Sequence, residues 1–390
     1  MSKIFFHIFF VISAALVAVY GVSTKCEKTV TTATLNGLKK SLNEKKVCSG
    51  DLIFEETFDS FDLNVWQHDI TFNGDQKWEF QWYTNNRSNS FVEDGCLNLR
   101  PSITADDFGE LFLHTGTLDL NGALNEQCTD ARNSGCKRSG SHMNIINPIK
   151  SARVRTFNSF AFKYGKVEIN AKMPSGDWLL PSIKFLPKIN AYGLWPASGE
   201  IDLVESRGNR DLLKDGFNID NDQITSSLHF GPYINVDAWK KTSFPRNSSE
   251  KGKGFNNTFH RYQMEWSADK ITFSVDDIET STVKPKSGFW EIGDFDLKLP
   301  SINNPWATGS KLAPFDQEFY LSINLAVGGE GFFPDHTVNV VSEKAWNKES
   351  VNAMNDFWYA RNTWLPTWKI HENRTKEASL LIDYIRVWAL

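Results

Sequence analysis

The feature that most constrains this chain is a repeating period of two. Residues 165–173, 260–266 and 270–276 each alternate apolar and polar side chains, as a strand does when one face lies in a core and the other is wet. Gly, Asn, Asp and Pro separate such runs, and few stretches carry the 3.6 period of a helix. The chain closes on residues 380–388, Leu-Leu-Ile-Asp-Tyr-Ile-Arg-Val-Trp, another strand, so its first and last thirds must pair across a long sequence separation. The pattern predicts an all-β fold, with no internal repeat and no linker long enough to divide it. One domain from residue 51 to residue 390 is expected.

Composition adds exclusions. Lys and Arg number 42 against 47 Asp and Glu, a formal charge of −5, which leaves no basic footprint for nucleic acid and no polybasic membrane patch. Aromatic residues make up 13% of the chain and include 14 Trp, more than a core ordinarily needs, so some rings are expected to face a ligand. At the N-terminus, Lys3 precedes an apolar run from Ile8 to Val22, and Gly21-Val22-Ser23 supplies small residues for cleavage. Residues 1–23 read as a signal peptide, too short to span a bilayer, and a secreted, soluble product is expected. Sequons at Asn86, Asn247, Asn256 and Asn373 fit that route. Residues 24–50 form a Lys- and Thr-rich lead segment. Of five cysteines, Cys128 and Cys136 flank a short polar loop and are expected to bridge. Cys26 and Cys48 are a second candidate pair. Cys96, in Gly-Cys-Leu-Asn-Leu, is expected to be a buried free thiol.

The chemistry is concentrated in Trp195-Pro196-Ala197-Ser198-Gly199-Glu200-Ile201-Asp202-Leu203-Val204-Glu205. On a regular strand Glu200 and Asp202 share a face and Glu205 takes the other. A bulge at Leu203 or Val204 resets the alternation and brings three acids together. Such crowding favours one protonated carboxyl beside an ionised one, the arrangement that breaks glycosidic bonds. Taken alone, E-x-D-x-x-E also fits a solvated strand, but here tryptophans flank the acids, and sugars stack on such rings.

At these residues the sequence resembles glycoside hydrolase family 16, in particular its laminarinase-like β-1,3-glucanases and the related insect β-glucan recognition proteins. The resemblance runs from about residue 51 to 390. It implies a β-jelly-roll sandwich with a concave sugar cleft, Glu200 as nucleophile, Glu205 as acid/base and Asp202 tuning the pair. A bulged motif, rather than one shorter by a residue, implies β-1,3 linkages. The resemblance also implies sugar contacts from Trp195, Trp178, Arg153, His229, Tyr83 and Asn85, and rim or surface loops over roughly residues 104–149 and 281–314. Where many laminarinases carry further aromatics, this chain has Leu180 and Lys184.

No His/Cys cluster has zinc-ligand spacing, no Gly-rich loop precedes a helix as a phosphate cradle would, and no cofactor is implied. A structural calcium occurs in some such proteins, but no local pattern places one here. The expectation is a secreted, monomeric, retaining endo-β-1,3-glucanase. The alternative is a non-catalytic β-1,3-glucan recognition protein of innate immunity. Two features favour the enzyme: both glutamates are kept, and the lead segment is too short for an added glucan-binding domain.

Overall fold

The structure, a computed structural model, describes residues 47–121, 128–249, 252–339, 342–370, 372 and 376–390. The signal-peptide reading, Cys26, most of the lead segment and the Asn373 sequon lie outside the described residues. Two eight-stranded antiparallel sheets make a jelly-roll sandwich. Across the first sheet the order is Ile278–Val283, Ile271–Val275, His260–Trp266, Gly165–Lys172, Leu380–Trp388, Cys96–Leu99 and Ser90–Glu93, with Leu52–Glu56 also paired to Leu380–Trp388. The closing strand thus joins the start of the domain to its middle, as the alternation of residues 380–388 requires.

The second sheet, which carries the acids, runs Ser243–Asn247, Gln223–His229, Glu200–Ser206, Leu179–Pro187, Phe319–Val327, Arg153–Arg155 and Gln67–His68, with Ala161–Phe162 also on Phe319–Val327. The sandwich is filled by rings. Phe162 meets Phe185 and Trp266 edge-on, with centroids 5.7 and 5.5 Å away, and Trp266 in turn meets Phe319 at 5.5 Å. The indole N–H of Trp266 donates to the Phe315 carbonyl at 2.9 Å, so even this fully buried ring leaves no polar atom unpaired.

Gly165–Lys172 alternates buried and more open positions, whereas Glu200–Ser206 and Phe319–Val327 are buried throughout. Strands covered on one face by a core and on the other by charged partners explain that contrast. The segments expected to be loops are more ordered than that. Residues 104–149 contain the helices Thr104–Phe108 and Glu110–Thr115 and a hairpin of Thr117–Asp119 with Lys137–Ser139. Residues 281–314 contain Phe289, Trp290, Phe295 and Trp306, packed as one ring cluster with Phe230.

Cys128 and Cys136 are bridged. Cys48 is also disulfide-bonded. Cys96 is free, as expected, but half-buried rather than buried, because its strand lies second from the sheet's edge beside only a short neighbour.

Candidate active site

The bulge lies where the spacing of the acids demands. Against Leu179–Pro187, Val204 pairs with Ile183 and Asp202 with Lys184, which leaves Leu203 as the extra residue. Against Gln223–His229, Asp202 pairs with Ser227 and Glu205 with Thr225, three steps on one strand against two on the other. Glu205 therefore returns to the face of Glu200 and Asp202. Upstream, Gly199 adopts φ 82, and a Cβ there would stand 2.9 Å from the Phe315 ring. Only glycine lets the chain turn into the strand at this point, and the turn brings the Trp195 indole N–H to Glu200 Oε2 at 2.7 Å.

Each acid has a cationic partner. Lys184, in register with Asp202 on the neighbouring strand, donates to Glu200 Oε1 at 2.9 Å. Burial pushes the Glu200 carboxyl up, but Lys184, His229 and Lys77 outweigh it and hold the carboxyl far below its usual range. Asp202 Oδ2 accepts from Ser227 Oγ and His229 Nε2, both at 2.9 Å. Burial, with Glu205 and Glu200 adding to it, raises Asp202 to about 6. The other ring nitrogen of His229 pairs with Asp237 at 2.5 Å. Burial alone would lower His229, but Asp202, Asp237 and Glu200 raise it to about 10. Glu200, Asp202 and His229 bring ligand atoms within 4.8 Å of one another. A protonated imidazole hydrogen-bonded at both nitrogens has no lone pair for a metal, so this trio does not fit one.

Glu205 contacts Lys77 Nζ. Lys77 arrives from a one-turn 3-10 helix, Asp75–Lys77, whose last carbonyl accepts from the N–H groups of Glu330 and Gly331. Its ammonium lies 4.9 Å from the Phe332 ring centroid. Crowding by Glu200 predicts a raised pKa for Glu205; the structure reverses that expectation. Burial does push the carboxyl up, but Lys77 and Lys184 outweigh it and hold it below its usual range.

The other expected contacts divide. Trp195 is half-buried, and its ring lies 5.7 Å from His229, which stacks at 5.9 Å on Trp239. These three rings form one wall beside the acids. Arg153 faces the same side but is turned to Asp75 and Asp69, with its guanidinium 4.4 Å from the Tyr83 ring centroid. Tyr83 is a correction: it is fully buried, and its hydroxyl accepts from Arg153 and Asn324, so it supports the floor rather than an edge. Asn85 is half-buried, with its backbone carbonyl accepting from Arg87.

Trp178 is a second correction. It is buried edge-on against Phe333 and Trp346 at 5.3 and 4.9 Å and belongs to the core. The same holds for most tryptophans, so the surplus of rings is largely absorbed by packing. Among the described residues, Trp78 is the one tryptophan left exposed, and it directly follows Lys77. Lys77, Asp237 and Trp239 gave no local signal in the sequence. Glu79, buried beside Asp75 and Arg153 and raised to about 7, gave none either; burial is the larger cause and Asp75 the next. The sequons at Asn86 and Asn247 are exposed and that at Asn256 is half-buried.

A bulged acidic strand on a jelly roll defines a class, and comparison with known proteins agrees. Residues 125–304 match the family described as Glycosyl hydrolases family 16, and the chain belongs to that family. It is 47% identical over 343 residues to a β-1,3-glucan-binding protein of Penaeus monodon, covering 87% of this chain and 90% of that protein. It is 35% identical over 378 residues to β-1,3-glucan-binding protein 1 of Manduca sexta, covering 95% of this chain and 69% of that one. In fold it is similar to the laminarinase catalytic domain from Thermotoga maritima, with a TM-score of 0.51 at 22% identity over 88% of this chain and 99% of that domain. No helix among the described residues is long and apolar enough to cross a membrane.

Proposed function

We propose that this chain is a secreted β-1,3-glucan-binding protein that keeps the sugar site of its family but holds the acid of the catalytic pair ionised. The observation that carries this reading is the Lys77 ammonium on Glu205. Retaining hydrolysis needs a carboxylic acid that still bears its proton when the leaving oxygen departs. An ammonium ion in contact favours the carboxylate instead, so at neutral pH Glu205 has no proton to give. Lys184 adds to this by filling, with a charge, a position where the resemblance implies an aromatic ring. The names of the relatives supply the ligand class, and the apolar run after Lys3 supports export.

A second reading, a retaining endo-β-1,3-glucanase, is favoured by the bulge that returns Glu205 to the face of Glu200. In that case the substrate displaces Lys77. Laminarin calorimetry with reducing-end assays separates the two. The unaltered chain should bind laminarin while turning over well below ~1 s⁻¹, the low end of ordinary enzymes. Lys77→Met keeps the side-chain stem and removes the charge. It should raise reducing-end release by roughly 10–100-fold, part of what general acid catalysis supplies, with Glu200→Gln abolishing the gain. Ordinary turnover by the unaltered chain defeats the binding-protein reading, as does an indifferent Lys77→Met. Failure to bind laminarin defeats the ligand class.

A further inference from the structure

Lys77 is held by more than its ion pair. Its backbone carbonyl accepts from the N–H groups of Glu330 and Gly331, at 2.7 and 3.1 Å. Its ammonium, besides touching Glu205, lies 4.9 Å from the centroid of the Phe332 ring, whose face attracts a cation. Successive residues of one turn thus grip the lysine at both ends.

The middle of its side chain meets the same turn. Gly328 and Gly329 adopt φ 64 and 97, but Gly331 lies outside the left-handed region, so its backbone does not require glycine. What a side chain at 331 would meet is Lys77 itself: the three atoms nearest to a Cβ there are Lys77 Cα, Cγ and Cβ, at 3.2, 3.4 and 3.5 Å. The turn is fixed to the body in its turn. The Gly328 N–H donates to the Trp178 carbonyl at 2.8 Å, and the Gly329 carbonyl accepts from the buried Trp346 indole at 2.9 Å. Arg207, two residues past Glu205, donates to the Phe332 carbonyl at 3.1 Å and brings its guanidinium to 4.4 Å from the ring centroid.

We infer that the turn at 328–332 is a collar that presets Lys77 on Glu205, with Gly331 and Phe332 as its positioning residues. A free lysine gives up much rotamer freedom when it pairs, and a stem already confined gives up less. The inference rests on the reading that Lys77 keeps Glu205 ionised, and it names what sets the strength of that lock.

The test follows the Glu205 carboxyl by carbon NMR in the full chain, with Glu205→Gln identifying the signal, beside reducing-end release from laminarin and thermal unfolding. Glu205 also feels Lys184, His229, Asp202 and Arg207, which every variant leaves in place. Lys77→Met should raise the pKa of Glu205. Phe332→Leu removes the ring face and should move it the same way by less, with roughly a 2–5-fold gain in reducing ends, the weight of one exposed cation–π contact. Gly331→Val, at an exposed position, pushes on the lysine stem and should act in the same direction. Phe332→Tyr keeps a ring and should restore the titration of the unaltered chain. In a Lys77→Met background, Phe332→Leu should shift Glu205 no further, because nothing is left to position. If Lys77→Met moves the titration while Gly331→Val and Phe332→Leu only lower Tm, the collar is overturned and the binding-protein reading stands. If Lys77→Met leaves Glu205 unmoved, both fall.

Discussion

The two faces of the acidic sheet are made of the same strands and held by opposite physics. Towards the sandwich, Ile183, Phe185, Ile201, Val204 and Ile323 are fully buried among rings and aliphatic chains. Away from it, Lys184, Glu200, Asp202, Glu205, Arg153 and His229 are nearly as buried, yet every one is charged. The first face gains from leaving water and needs only volume and shape. The second is tolerable only while each charge keeps its partner, because desolvation is repaid by pairing alone. Truncation should therefore cost the first face stability, whereas a change of protonation should act on the second.

The largest expected effect is on the ring-filled side. Trp266→Ala removes a fully buried indole that touches Phe162, Tyr164 and Phe319 and should cost about 3–5 kcal/mol in guanidinium unfolding. Laminarin affinity of the folded fraction should be unchanged. A loss below about 1 kcal/mol would mean that the sandwich is not what holds the sheet.

The next effect is a slope with pH. His229 faces Asp202, Asp237 and Glu200, with Trp195 and Trp239 on its flanks. Its pKa is about 6.5 in the unfolded chain and about 10 when folded. A group raised on folding gives its full stabilisation below the unfolded value and loses it as pH rises through the folded one. Stability should fall between pH 6.5 and 10, and His229→Gln should flatten that window whatever it does to stability at pH 7. Glu79, raised from 4.5 to about 7, acts at lower pH: its burial begins to cost as the unfolded carboxyl ionises, so it adds a decline from pH 4.5 to 7. An unchanged slope above pH 7.5 in His229→Gln would place the histidine uncharged in the folded protein and break the pairing scheme.

How legible each face was follows from the same physics. Alternation is local, so 165–173, 260–266 and 380–388 could be read as strands, and the structure has Gly165–Lys172, His260–Trp266 and Leu380–Trp388. The bulge was legible too, because the five-residue step from Glu200 to Glu205 makes sense on one face only if a residue is skipped. Charge pairing is not local. Lys77 lies 128 positions from Glu205, and Tyr83 lies 70 from Arg153. Lys184 stood in the sequence as a missing aromatic, since nothing near it announces that Glu200 comes within reach on the next strand.

The smallest effect is also the sharpest comparison, because it sets two tryptophans that the sequence treats alike against each other. Trp195 lies half-buried on the charged face and spends its N–H on Glu200. Trp178 lies just ahead of the Leu179–Pro187 strand, with its ring closed in by Phe333 and Trp346. Phenylalanine keeps a ring at either site. At 195 it deletes a hydrogen bond to a charged group, worth about 1.5–3 kcal/mol where fully formed and less beside water. Glu200 retains Lys184, so folding should change little, while the loosened ring should lower laminarin affinity by roughly 3–10-fold, about 1 kcal/mol. At 178 the same substitution leaves a void among packed rings and should lower stability by about 1 kcal/mol, with affinity unmoved. The two variants should thus trade places between a binding titration and an unfolding curve. Loss of affinity in Trp178→Phe at full stability would return that ring to the sugar site and undo its assignment to the core.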